Sequence, residues 1–75
     1  MKTYKVIPYA NQIVVNKEDK PQDAVVNYFD VINQECVEGW EFVTVSTVPV
    51  IRKCGGLKTQ TELYNAFIFV KEIED

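Results

Sequence analysis

The chain contains no histidine. That removes the commonest general base and the commonest metal ligand in one stroke. Cysteine is scarce. Cys36 and Cys54 stand too far apart for a C-x-x-C motif, and two thiols without a histidine partner do not make a structural zinc site. There is no basic excess either. Eight Lys and Arg against eleven Asp and Glu leave a net charge of −3, whereas a protein that holds nucleic acid through its phosphates needs a clustered positive surface. Nucleic acid is therefore disfavoured as a partner. No apolar run approaches the ~20 residues of a membrane span. The opening "MKTYKVIPYA" lacks the apolar core and small-residue cleavage site of a signal peptide. The expectation is a soluble, cytoplasmic protein with reduced thiols and no membrane partner. Phosphate-binding and calcium-loop motifs are absent, so no cofactor and no metal is implied.

What is present describes an architecture. Seventy-five residues make one domain, 1–75. A domain this small buries only about 60–65% of its unfolded surface and commonly needs a partner chain for stability. A chain 47% hydrophobic and 25% charged has the composition of a folded domain, which argues against disorder.

"TYKVIPY", Thr3 to Tyr9, is rich in β-branched and aromatic residues and reads as a strand, with Pro8 marking it as an edge strand or a strand end. "QIVV", Gln12 to Val15, reads as a continuation of it after a kink, and whether it is a strand of its own stays open. The polar run Asn16 to Asp23 is a loop, with Pro21 placed to open a helix. From Ala24 to Glu38, Val25, Tyr28, Phe29, Ile32 and Cys36 recur at helical spacing and form one apolar stripe. Cys36 is expected to be buried and inert on that stripe. Gly39 is expected to end the helix in the left-handed conformation. Trp40 then reads as a largely buried lid over the joint with the next strand, "EFVTVSTVPV", which is expected to run to Pro49. Gly55-Gly56 signals a turn. The last segment, Thr61 to Ile73, is apolar on both faces and is expected to be the central strand.

The order strand, helix, strand, strand predicts an α+β domain: a three-stranded antiparallel sheet, spatial order 1-3-2, with one helix on one face. Strand alternation then assigns sides. Val43 and Val45 are expected to face the helix, and Phe42 to face away. On the last strand, Phe67 and Phe69 are expected to form the uncovered set, because Ala66 leaves room for a close helix. Phe42, Phe67 and Phe69 are thus the expected oligomer interface.

No constellation for catalysis is visible, and the chain is not expected to be an enzyme. Cys54 lies beside Arg52 and Lys53 but has no base. Glu35, Glu38 and Glu41 read as a solvated acidic face. Arg52, Lys53 and Lys58 around Gly55-Gly56 offer a weaker possibility, an anion held by a glycine turn beside cations.

Three short motifs carry a family resemblance: Tyr4-Lys5-Val6, then Glu38-Gly39-Trp40-Glu41 directly after a helix, then Phe69-Val70-Lys71. Together they resemble a bacterial family catalogued as domain of unknown function 4177. The segment before the helix and the hairpin are longer here than in typical members. The resemblance implies the same strand–helix–strand–strand fold and a bacterial or phage source, and it implies no catalytic residue. The functional expectation is a small non-enzymatic interaction module that self-associates through its open sheet face. The alternative is a small-molecule or anion binder that uses the basic hairpin.

Overall fold

A computed structural model of the chain describes residues 1–74, which form three strands and a short helical layer joined by loops. Strand β1 is Lys2–Ala10, helix α1 Pro21–Phe29, helix α2 Val31–Glu35, strand β2 Glu41–Lys53 and strand β3 Thr59–Glu72. The sheet is antiparallel in the order β1-β3-β2, so the last strand is central. The α+β arrangement and the strand order are those expected from the sequence.

Both prolines within strands lie on edge strands, where a missing N–H is tolerated: Pro8 on β1 and Pro49 on β2. That position lets β2 run four residues past Pro49, to Lys53. Pro21 opens α1, with Asp23 in its first turn against the positive end of the helix dipole.

The helical layer ends sooner than its apolar spacing predicts. It tightens at Asp30, whose N–H bonds Asn27 O at 3.2 Å, and it stops at Glu35. Val31 thereby becomes the buried helical residue, flanked by the partly buried Tyr28 and Ile32. Cys36 caps the end with non-helical dihedrals and is exposed, which corrects its expected burial. Gly39 belongs to a separate turn, closed by Trp40 N–H to Val37 O at 3.0 Å. Both central residues of that turn have positive φ, +55° at Glu38 and +90° at Gly39. The left-handed conformation expected of Gly39 is there, but it serves a turn with two positive-φ positions and not the helix end.

The fully enclosed core consists of Val31, Phe67 and Phe69, with Ile7, Tyr28, Ile32 and Trp40 packed around it. Phe67 and Phe69 are 0% exposed beneath the helices. They are therefore not the uncovered set, and their expected place in an interface is overturned. The physical reason is area. Burying two aromatic rings removes more apolar surface from water than burying Ile68 and Val70 would. Edge contacts add to it: the Phe67 ring lies 5.7 Å from Tyr9 and 5.9 Å from Phe29.

Phe42 is also on the helix side, again against expectation. It stands opposite Phe69, with ring centroids 5.6 Å apart. The register of β2 on β3 shifts between Phe42 and Thr44, so one residue, Val43, is extra. A bulge of this kind reverses which parity faces which side. Beyond it Val45 lies opposite Phe67 on the helix side, as expected.

The molecule is flat. Its Cα extents are 49 × 39 × 14 Å and its radius of gyration is 16.2 Å. A compact domain of this length would have a radius of about 11 Å. The difference lies in the β2–β3 hairpin. β1 accompanies β3 only from Glu72 to Tyr64, and the rest of the hairpin projects as a two-stranded arm.

Candidate functional site

Residues directly opposite each other across an antiparallel pair share a face. The face turned away from the helices therefore follows from the register. Its rows, read β1 to β3 to β2, are Tyr4–Val70–Glu41, Val6–Ile68–Thr44, Pro8–Ala66–Ser46 and Ala10–Tyr64–Val48. Along the arm the rows continue as Glu62–Val50 and Gln60–Arg52. The centre of this face is the apolar, half-buried row Tyr64, Ala66, Ile68 and Val70, and apolar side chains of the two edge strands are exposed beside it. Tyr4 is 61% exposed, Val6 56%, Val48 44% and Val50 41%.

Tyr64, Ala66, Ile68 and Val70 share one side of β3 and Phe67 and Phe69 the other, as alternation predicts, but it is the first set and not the second that faces outward. Two signals point the other way. Tyr4, Val6 and Pro8 share one face of β1 and make an apolar stripe with no helix to cover it. The even set of β3 lacks the large rings that a small helical layer must enclose to hold.

The opposite face is occupied by packing. Lys5, opposite Phe69, sends its Nζ to Glu35 Oε2 at 2.8 Å and to Glu35 O at 3.4 Å. The same ammonium lies 4.5 Å from the centre of the Trp40 ring, with Lys71 Nζ at 5.7 Å. Trp40 is partly buried against the core, less enclosed than expected, and completes the joint with this cation–π contact. A second tie runs through four polar groups. Thr47 Oγ1 donates to Asn65 Oδ1 (3.0 Å), Asn65 Nδ2 to the Tyr28 hydroxyl (3.0 Å), and that hydroxyl to Ala10 O (2.8 Å). It fastens α1 over the point where β1 ends.

At the end of the arm, Arg52 is engaged by Glu62, Nε to Oε1 at 3.1 Å and a terminal nitrogen to Oε2 at 3.3 Å. The hydrogen bond from Arg52, joined by one from Tyr64, holds the Glu62 carboxyl below its usual range, and the Glu62 bond raises Arg52. Of the expected anion-binding cations, Lys53 and Lys58 make no ion pair with a described residue. Two N–H groups of the turn are used internally, Cys54 to Lys58 O (3.0 Å) and Lys58 to Gly55 O (3.2 Å). Cys54 Sγ lies near Arg52 O and Gln60 Oε1, with no base beside it. Glu35, Glu38 and Glu41 are dispersed among an ion pair, a turn and the open face. Among the described residues there is no group of three or more Cys, Asp or Glu placed to hold a metal ion, and no helix long and apolar enough to cross a membrane.

An open cleft of about 520 Å³ lies where β1 leaves the sheet, between Ala10–Gln12 and Gln60–Tyr64. Its one perturbed acid, Glu62, is already paired. No protein-family model, curated protein or solved structure matches the chain. The resemblance to domain of unknown function 4177 rests on its three short motifs.

Proposed function

We propose that the chain is a small non-enzymatic interaction module of the cytoplasm, and that two copies meet through the open sheet face. The observation that carries this reading is the open face, on which Tyr4 and Val6 of β1 and Val48 and Val50 of β2 stand exposed on either side of the apolar row Val70, Ile68, Ala66 and Tyr64 of β3. Apolar surface of this extent in water marks an interface. The size fits a second copy. At ~3.4 Å per residue, the nine-residue three-stranded part is about 30 Å by 14 Å and the five-residue arm about 17 Å by 10 Å, which gives a face of roughly 600 Å². Two such faces reach the lower end of the ~1,200–2,000 Å² of specific interfaces. A two-fold axis lets one surface serve both partners. Sheets packed this way form a sandwich with side chains interleaved between layers about 10 Å apart. The anion-binding alternative is weakened by the pairing of Arg52 with Glu62.

Light scattering at micromolar concentration tests the proposal. The expected result is twice the chain mass for the parent and the single-chain mass for Val6→Asp, with the variant still folded by circular dichroism. Val6 is exposed in the single chain, so the charge enters no core. A parent that scatters as a single chain would overturn it.

A further inference from the structure

The arm leaves a second surface bare, the β1-side edge of β3. The β1–β3 ladder ends at the pair Ala10–Tyr64, and the Asn11 N–H makes one more bond to Leu63 O at 3.1 Å. Past Leu63, residues Thr59 to Glu62 pair only with β2. Their outward N–H and C=O groups form a strand edge, with the cleft between Ala10–Gln12 and Gln60–Tyr64 beside it. Unpaired edges of this kind accept strands.

We infer that this edge is a strand acceptor and that Gln12–Val15 of the same chain is the strand that fills it. Three observations converge. First, the segment suits a strand: Ile13, Val14 and Val15 are consecutive β-branched residues, all exposed, Val14 at 88%. Second, it is in register. Extending the ladder beyond Asn11 sets Gln12 opposite Glu62, Ile13 opposite Thr61, Val14 opposite Gln60 and Val15 opposite Thr59, with no insertion. Third, the chain bends at Asn11 but closes its hydrogen-bonded turn only after Val15. Asn16 and Asp19 close a turn with Asp19 N–H to Asn16 O at 3.0 Å and Asn16 N–H to Asp19 Oδ2 at 3.0 Å, and α1 opens two residues later. A strand running to Val15 therefore meets a turn already in place.

In the structure the segment follows the helix. Ile13 lines a cleft with Tyr28 and Phe29, and Val14 and Val15 line another with Asp23, Ala24 and Asn27. Closing it onto β3 gives the base of the arm a third strand. Ile13 and Val15 come to the helix side and Val14 to the open face. Because Asn11 is already paired, closure starts from a fixed end and zips outward, which favours the chain's own segment over that of another molecule.

Disulfide trapping tests this. In a Cys36→Ser, Cys54→Ser background, Val14→Cys is combined with Gln60→Cys. The pair lies one residue out of step with the hydrogen-bonded pairs, where opposing Cα atoms come within bridging distance. The control combines Val14→Cys with Thr61→Cys, whose side chains would point to opposite faces. The work is done on the Val6→Asp variant, so that the result does not depend on the dimer. The expected result is an intrachain bond in the in-register pair and at least a tenfold lower yield in the control. Amide exchange without the added cysteines should show Ile13 and Thr61 at least tenfold slower than the exposed Lys17. Interchain bonds alone would overturn the inference by naming a second copy as occupant. Equal trapping in both pairs, no trapping, or free exchange at Ile13 and Thr61 would each overturn it as well.

Discussion

The two halves of the β2–β3 hairpin share one hydrogen-bond ladder and differ in what lies on them. The half that contains Phe67 and Phe69 has β1 on one edge and the helices above. The half from Val48 to Leu63 has neither, and Val48, Val50, Ile51 and Leu63 are exposed. A bare two-stranded ribbon is marginal in water, whereas a third strand and a covering layer make a stable unit. In this protein the ladder sets the shape and the layer supplies the stability.

The sharpest way to break this comparison is a pair of truncations. Phe67→Ala should cost about 3–5 kcal/mol, most of the stability of so small a domain. Leu63→Ala, in the arm of the dissociated Val6→Asp variant, should stay within about 0.5 kcal/mol. Urea unfolding followed by circular dichroism measures both, and equal losses would erase the distinction. Trp40→Ala should come next, at roughly 2–3 kcal/mol, because a partly buried ring forgoes less than an enclosed one. A smaller loss, about 1–2 kcal/mol, is expected for Gly39→Ala. A Cβ there would meet only the Lys71 side chain, at 3.6 Å and beyond, so the cost is the positive φ and not space. Thermal melts distinguish these two variants.

The smallest effect belongs to the arm. The Glu62 carboxyl is held below its usual range by Arg52 and then Tyr64. A depressed carboxyl stabilises the folded arm above its unfolded-state pKa, and that contribution is lost as pH falls through the folded value. In the dissociated Val6→Asp variant the pair is solvent-accessible, so the effect there should be slight and should fade in salt. Amides near Gly55 and Gly56 should exchange faster on acidification, relative to their intrinsic rates, than those near Phe67. Glu62→Gln should remove that difference.

Much of this division was legible in the sequence. The apolar segment from Thr61 to Ile73 marked the central strand, Pro8 marked an edge strand or a strand end, and Pro21 marked the helix start. Three features were hidden, each for a physical reason. Val43 is an ordinary strand residue, and nothing in its type announces a bulge; yet the bulge alone carries Phe42 to the helix side. The choice between Phe67–Phe69 and Ile68–Val70 depends on total area enclosed, which alternation does not rank. Cys36 continues the helical spacing, but the chain has already left the helix there. The candidate face was missed for the second of these reasons, although Tyr4, Val6 and Pro8 showed half of it.

The strand order also sets a sequence of events in time. β3 is the central strand and the last to be made, and neither β1 nor β2 has a partner until it exists. Lys2 meets Glu72, a closure across almost the whole chain, while Lys53 meets Thr59 across one tight turn. Short closures are fast and long ones slow. The hairpin should therefore zip first from Gly55-Gly56, and β1 should join it later, bringing the helices. Until then Phe67 and Phe69 stand in water, so the interval between synthesis of β3 and arrival of β1 is when a nascent chain is most exposed to aggregation.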